Sequence, residues 1–165
     1  MNEKKCQEAP GPMPSFIGVK IINAFPQPCP SDRHMSKAGD PGYLVQYEDG
    51  YTSWSPASAF EAAYRKTNSM NFGLAIEAMR KGLFVARKGW NGKGMFVYLV
   101  EGTTVPVENL RGNCAKAIAA SNNTAPVQDI CGHIDMKAAD GSIVVGWLAS
   151  QTDMLADDWQ IVRAS

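Results

Sequence analysis

The sequence predicts an α+β fold, formed mainly by antiparallel sheet with a few short helices and preceded by a small β-hairpin/helix module. Two observations carry this prediction. Short segments of alternating or β-branched residues outnumber helical segments, and tight-turn signals at Asp49-Gly50 and Asp140-Gly141 join neighbouring strands. A chain of 165 residues with 45% apolar residues can hold one medium domain, or a small domain and a module.

The front of the chain divides into a tail and a small module. Residues 1–15 contain three prolines and few residues to bury, so they are predicted to be a mobile tail. Residues 16–67 are predicted to form the small module. Its elements are a strand at 19–24, a proline-broken loop at 26–41, a hairpin of 43–47 with 51–54, and a helix begun by Ser55 and Pro56.

Residues 70–165 are predicted to form the second domain. Asn71 is placed to cap a helix in which apolar residues recur every three or four positions as far as Leu83. Ser150 and Asp153 form a capping-box pattern at a later helix. The remaining predicted elements are strands at 84–87, 95–100, 130–136, 143–147 and 159–162 and a short helix at 114–120.

Charge and composition exclude several classes of protein. Sixteen basic residues balance sixteen acidic ones, so the positive field that long nucleic acids require is missing, and no DNA or RNA partner is predicted. No apolar run approaches the roughly 18 residues of a membrane-spanning helix. The four cysteines form no CxxC pair, which favours reduced thiols in a cytoplasm and predicts neither a metal site nor a cofactor.

The segment 86–100, ARKGWNGKGMFVYLV, combines a tryptophan with a glycine-rich turn and two lysines. Glycines allow backbone N–H groups to converge on an anion, Lys88 and Lys93 supply positive charge, and Trp90 offers a flat face to a base. The same residues are also typical of an ordinary hairpin turn between two strands. Spacing alone leaves both interpretations open.

The segment 147–159, WLASQTDMLADDW, places a tryptophan on each side of a short helix. Its polar start could receive an anion or a hydroxyl-rich ligand, and Asp153 could accept hydrogen bonds from ribose. Alternatively, Asp153 only caps the helix and both tryptophans fill the core. The only histidines, His34 and His133, lie in a loop and on a strand without a matching nucleophile, so an enzyme is not predicted.

Three blocks, MNFGLAIEAMRKG, VARKGWNGKGMFVYLV and ADGSIVVGWLASQTDMLADDW, closely resemble the phage Thoeris anti-defence sponge family of the second type. The resemblance implies a protein without catalytic activity that sequesters cyclic ADP-ribose isomers made by bacterial TIR-domain enzymes, in the cytoplasm of the infected host. Some family members also hold cyclic dinucleotides, which makes these a second candidate ligand. The resemblance further implies a homotetramer with ligand sites between subunits.

Carried onto this sequence, the resemblance implies a ligand site without catalytic residues. Trp90 and Trp147 are expected to bracket adenine, Asn91 and Lys93 to contact phosphate or ribose, and Asp153 to meet sugar hydroxyls. The implied ligand-binding residues are Trp90, Asn91, Lys93, Phe96, Trp147, Gln151 and Asp153. The alternatives are a hydrolase of the same signal and a phage virion or assembly protein without ligand; the module at 16–67 looks like a phage segment of unassigned activity.

Overall fold

The computed structural model describes residues 19–33, 35–90, 94–121 and 124–163. The predicted tail at 1–15 lies outside these residues. The helices are α1 (Ala57–Ala63), α2 (Phe72–Arg80), α3 (Gly112–Ala120) and α4 (Gln151–Met154), with a 3-10 turn at Val107–Asn109. The strands are β1 (Asn23–Pro26), β2 (Gly42–Gln46), β3 (Thr52–Pro56), β4 (Phe84–Arg87), β5 (Phe96–Val100), β6 (Thr103–Pro106), β7 (Val127–Ile130), β8 (His133–Lys137), β9 (Ile143–Val144) and β10 (Trp159–Val162).

The chain forms two compact units, the first ending at Ala62 and the second beginning at Ala63. The polar residues 66–69 form hydrogen bonds within the second unit. The backbone N–H of Ile161 donates to the carbonyl of Thr67 at 2.9 Å, and the Ser69 hydroxyl donates to the carbonyl of Asp157 at 3.2 Å. This segment is therefore tied to the strand β10 and the turn before it.

The first unit is an antiparallel sheet of order β1-β2-β3 beside α1. Val45 is its largest fully buried side chain, and the ring of Tyr43 stacks on Phe60 of α1 with centroids 4.2 Å apart. A Cβ at Gly42 would overlap the ring of Trp54 at its Cζ2 atom, so only glycine fits there. The predicted hairpin is confirmed.

Two details predicted for the first unit are wrong. The strand expected at 19–24 begins only at Asn23 and continues to Pro26, at the edge of the sheet where the missing N–H of a proline is tolerated. The helix expected to start with Pro56 begins at Ala57, because Pro56 is still paired with Gly42 as the last residue of β3.

The second unit contains a five-stranded antiparallel sheet of order β10-β4-β5-β8-β9. The helix α2 begins as predicted, with the Asn71 side chain accepting a hydrogen bond from Leu74 N–H at 3.0 Å. It packs Ala75, Ala78 and Met79 onto the sheet. The buried core also includes Met70, Val85, Val97, Met136 and Trp159.

Side chains alternate between the two faces of this sheet. The first face carries Val85, Val97 and Trp159, which are fully buried against α2 and its neighbours. The second face carries Phe84, Phe96 and Tyr98, which are half-buried and contact one another through their rings. Strand β5 therefore directs apolar side chains to both faces.

The strands β6 and β7 extend the hairpin of β5 and β8 in the same pairing register. Between the two parts, a Cβ on Gly102 would lie 3.0 Å from the carbonyl oxygen of Ile130, and one on Gly132 would lie 3.2 Å from that of Val100. This close backbone approach interrupts the strand predicted at 130–136 as one element, which is wrong in that respect. The predicted helix at 114–120 is present as α3.

The strand predicted at 143–147 is shorter than expected. It ends at Val144, and Gly146 adopts a left-handed conformation with φ of 71°, which breaks the extended backbone before Trp147. The α+β class with mainly antiparallel sheet is confirmed. Among the described residues, no helix has the length and apolar content needed to cross a membrane.

Candidate functional site

Three tryptophans from two distant sequence blocks meet in the second unit. Trp159 is fully buried, and the ring centroids of Trp90 and Trp147 lie 5.4 and 6.3 Å from its centroid. Trp90 and Trp147 are themselves 5.8 Å apart, and both remain half-buried. We name these three residues the tryptophan cluster; two of its rings retain accessible surface that a flat ligand can contact.

The rings of Trp90 and Trp147 meet edge to face, with an interplanar angle of 75°. Two rings in this arrangement offer no parallel gap in which a base could lie between them. The bracketing of adenine by Trp90 and Trp147 stays a prediction, which this arrangement within one chain does not test. A base can stack on the exposed surface of either ring, with its other side open to a second subunit.

An ion-pair cluster lies beside the tryptophans. The Arg87 guanidinium donates from Nε to Asp158 Oδ1 at 2.6 Å, and from Nη1 to Asp153 Oδ1 at 2.9 Å and the Thr152 carbonyl at 3.1 Å. The hydrogen bond from Arg87 lowers the pKa of the Asp158 carboxyl, and Asp158 together with Asp153 raises the pKa of Arg87. We call Arg87, Asp153 and Asp158 the ion-pair cluster.

Asp153 has a structural role at the start of α4. Its Oδ2 accepts hydrogen bonds from the Ser150 hydroxyl at 2.6 Å and the Ser150 N–H at 3.1 Å, completing the predicted capping box. Burial raises the pKa of the Asp153 carboxyl, but the hydrogen bonds from Ser150 and Arg87 outweigh this effect and leave the pKa lowered. Both oxygens of the carboxylate are thus engaged by the protein, and its contact with sugar hydroxyls stays a prediction.

The other predicted site residues are distributed around these two clusters. Gln151 is exposed at the first position of α4, beside the Ser150 cap. Phe96 lies on the second face of the sheet, away from the tryptophan cluster, and packs on Phe84 with centroids 4.9 Å apart. Asn91 and Lys93 lie outside the described residues.

Positive charge is present on both sides of the glycine-rich turn of residues 89–94, which we call the glycine turn. Lys88 is exposed just before it, and Lys137 donates from Nζ to the carbonyl of Gly94 at 3.4 Å just after it. Lys137 is paired opposite Phe96, with Nζ 5.8 Å from the centre of that ring. Lys137 was not predicted as a site residue, because only the pairing of β5 with β8 brings it to the turn.

Sequence analysis also missed the partnership of Arg87 with Asp158. The two residues are 71 positions apart, and their pairing depends on β4 lying beside β10. Local sequence patterns cannot predict this contact, because the two residues are distant in the chain.

Within the described part of the chain, no group of three or more His, Cys, Asp or Glu residues is arranged to hold a metal ion. The His133 imidazole Nε2 lies 3.4 Å from Asp135 Oδ1, and Asp135 also accepts a hydrogen bond from the N–H of Gly146 at 3.0 Å. Asp135 therefore joins β8 to the loop after β9 through Gly146. The candidate site therefore consists of the tryptophan cluster, the lysines near it and the ion-paired Arg87.

Comparisons with known proteins find similarity in this part of the chain. Residues 70–162 match the family of the Thoeris anti-defense 2-like domain. The chain is also similar to a protein of Bacillus phage SP01 named Thoeris anti-defense 2, with 38% identity over 93 residues, which are 56% of this chain and 94% of that protein. The family match contains the tryptophan cluster and the ion-pair cluster and begins after the first unit.

Proposed function

The chain belongs to the Thoeris anti-defense 2-like family and has a role in phage anti-defence, and from this premise we propose that it binds and sequesters cyclic ADP-ribose isomers. The ligand is held and not cleaved, so the alarm signal of bacterial TIR-domain enzymes does not reach its effector. The protein acts in the cytoplasm of the infected bacterium. The observation that carries the proposal is the tryptophan cluster, which leaves two half-buried indoles beside a glycine turn.

The chemistry of this surface suits a compact anionic nucleotide. Stacking of a base on an aromatic ring contributes about 1–3 kcal/mol. Lys88 is exposed two residues before Trp90, where it can form a charge-assisted hydrogen bond to a pyrophosphate. A nanomolar complex requires about 12 kcal/mol, and a cyclic ligand loses little conformational freedom on binding. Affinity is sufficient for this function, and no chemical step is needed.

We further propose that the binding assembly is a homotetramer. Support comes from the second face of the five-stranded sheet, where Phe84, Phe96 and Tyr98 form a half-buried aromatic surface. A strand such as β5, apolar on both faces, is typical of a sheet covered on both sides. A second copy of the chain would cover this face, and a neighbouring subunit would supply the other side of an adenine stacked on Trp90 or Trp147.

Calorimetric titration of the purified protein with a panel of cyclic ADP-ribose isomers tests the proposal, with cyclic di-GMP as a probe of the second ligand class. We expect tight binding of at least one isomer and its recovery intact, by mass spectrometry, after heat denaturation. A linear or cleaved nucleotide would identify a hydrolase instead. Absence of binding to every isomer would contradict the proposal.

Substitution Trp90→Ala should weaken binding by about one to two orders of magnitude, because it removes one stacking surface worth about 1–3 kcal/mol and its contact with Trp147. The matched control is Tyr51→Ala, which removes an exposed aromatic ring from the first unit. Titration of both variants should show loss of affinity only for Trp90→Ala. Equal affinity of the two variants would remove Trp90 from the site.

A further inference from the structure

We propose that Arg87 is a positioning residue for ligand capture, which holds Gly89, Trp90 and the start of α4 in the relative arrangement that binding requires. The inference rests on the proposed function, since it concerns the same site. It assigns to a half-hidden arginine a role that neither the glycine-turn pattern nor the capping-box pattern predicts. Arg87 acts through Trp90 and Trp147 and not through its own contact with ligand.

The Arg87 guanidinium joins three parts of the second unit. Arg87 is the last residue of β4, and its side chain reaches Asp153 and the Thr152 carbonyl in α4 and Asp158 before β10. These acceptors belong to three different residues that surround the side chain. Their bonds fix the end of β4 against α4 and the start of β10.

The ion-pair cluster also contacts the residues that lead into Trp90. Asp158 Oδ2 accepts a hydrogen bond from Gly89 N–H at 3.3 Å, and the Asp158 carbonyl accepts one from Lys88 N–H at 3.0 Å. The N–H of Trp90 donates to the carbonyl of Arg87 at 3.1 Å. The Arg87 side chain therefore reaches this turn through Asp158, whose carboxylate binds the guanidinium with one oxygen and the Gly89 N–H with the other.

The ion-pair cluster also contacts the segment that follows Trp147. Asp153, held by Arg87 through Oδ1, caps α4 by binding Ser150 through Oδ2. Ser150 follows Trp147 by three residues, so the cap fixes the chain shortly after this tryptophan, whose own N–H donates to the carbonyl of Ile134 at 2.7 Å. The carbonyl of Asp153 also accepts the indole N–H of Trp159 at 2.9 Å, which ties α4 to the centre of the tryptophan cluster.

Burial and geometry explain why arginine is required. The side chains of Arg87 and Asp153 are 16% and 15% exposed, so their ion pair is screened less than one on the surface. An arginine presents several N–H donors in a rigid fork, whereas a lysine ammonium is a single point charge on a flexible chain. A lysine at this position keeps the charge but cannot reach Asp158, Asp153 and the Thr152 carbonyl in the same geometry.

The test is the variant Arg87→Lys, compared with Arg80→Lys as the matched control. Arg80 is 64% exposed and pairs with Glu77 on the same helix, away from both clusters. Full-length variants are titrated with the cyclic ADP-ribose isomer that the wild type binds, and the dissociation rate is measured by stopped-flow tryptophan fluorescence. We expect Arg87→Lys to weaken affinity at least about tenfold, mainly through faster dissociation, because a preorganised site loses its fixed geometry. Arg80→Lys should match the wild type.

A readout without ligand separates this inference from the proposed function. In ¹H–¹⁵N spectra of the free protein, the Gly89 amide and the Trp90 indole signals should broaden or shift in Arg87→Lys and not in Arg80→Lys. If the wild type binds no isomer but these signals change, the proposed function fails while the positioning of the turn is supported. Unchanged signals in Arg87→Lys would overturn the inference.

A purely structural role makes a different prediction. It would lower the thermal unfolding midpoint of Arg87→Lys while leaving the affinity and dissociation rate of the folded protein at wild-type values, and that outcome overturns the inference. Should Arg87→Lys fail to fold, Asp158→Asn replaces it, because asparagine keeps a neutral acceptor and the arginine stays in place. An intermediate loss of affinity in Asp158→Asn supports the inference, and wild-type affinity contradicts it.

Discussion

The two faces of the five-stranded sheet carry similar residues in different surroundings. On the first face, Val85, Val97 and Trp159 are fully buried beneath α2 and the neighbouring tryptophans. On the second face, Phe84, Phe96 and Tyr98 are as apolar or aromatic but only half-buried. Hydrophobicity along β5 alone therefore does not distinguish the side that stabilises the fold from the side that is available to a partner.

The difference shows how the unit divides its tasks. The first face builds the tryptophan cluster, in which the buried Trp159 supports Trp90 and Trp147 from below. The second face places Lys137 beside Phe96 at the far end of the glycine turn. Under the proposed function, the first face supports ligand contact and the second supports assembly. Substitutions on the two faces should consequently fail in different measurements.

The largest effect on stability is expected from Trp159→Ala on the first face. Removing a fully buried tryptophan leaves a cavity and typically costs about 3–5 kcal/mol of unfolding free energy, and here it also frees the carbonyl of Asp153. Urea denaturation followed by circular dichroism measures the loss. Tyr98→Ala, on the second face, is the control. At a protein concentration at which both variants are monomers, it should lower the unfolding free energy clearly less than Trp159→Ala does.

Equal destabilisation by Trp159→Ala and Tyr98→Ala would contradict the proposed difference between the faces, since both faces would then contribute equally to the stability of one chain. A larger loss for Tyr98→Ala would mean that the second face is the main core.

A smaller effect on stability, but a clear one on assembly, is expected from Tyr98→Lys. The substitution replaces an aromatic ring of this face by a charged, strongly hydrated side chain, which a second copy covering the face would have to desolvate, so association should weaken severalfold or more. Size-exclusion chromatography with light scattering should show a lower mass than for the wild type, with an unchanged circular dichroism spectrum. Leu155→Lys, at an exposed position after α4, is the matched control.

An unchanged mass for Tyr98→Lys would exclude the second face from the interface. A lowered mass for Leu155→Lys alone would move the interface to the apolar surface around α4, where Leu148 and Leu155 are exposed.

Much of this comparison could be predicted from the sequence, and part of it could not. Local signals located the helix cap at Asn71, the capping box at Ser150 and most strands, because each depends on residues close in the chain. The break at Gly132 depends on close approach to another strand. The assignment of Phe96 and Trp90 to opposite faces depends on register, and the partnership of Arg87 with Asp158 depends on β4 pairing with β10. These features follow from topology, which local patterns do not encode.

The smallest effect that we expect concerns acid stability on the first face. The pKa of Asp158 is lowered in the folded protein, chiefly by its hydrogen bond from Arg87. A carboxyl with a lowered folded pKa stabilises the protein above its unfolded pKa of about 3.9 and loses that contribution as the pH falls through the folded value. The thermal midpoint of the wild type should therefore fall more steeply below about pH 4 than that of Asp158→Asn.

Thermal unfolding between pH 6 and pH 2.5 measures this difference, with Asp157→Asn as the control at the neighbouring exposed carboxyl. Because Asp158 retains considerable solvent exposure, its ion pair is partly screened and the change in midpoint should be modest. Asp158→Asn should be less stable than the wild type at pH 6 and approach it at the acid end. Parallel curves for the wild type and Asp158→Asn would mean that the ion-pair cluster adds no pH-dependent stability. The role of Arg87 would then have to depend on hydrogen-bond geometry and not on charge.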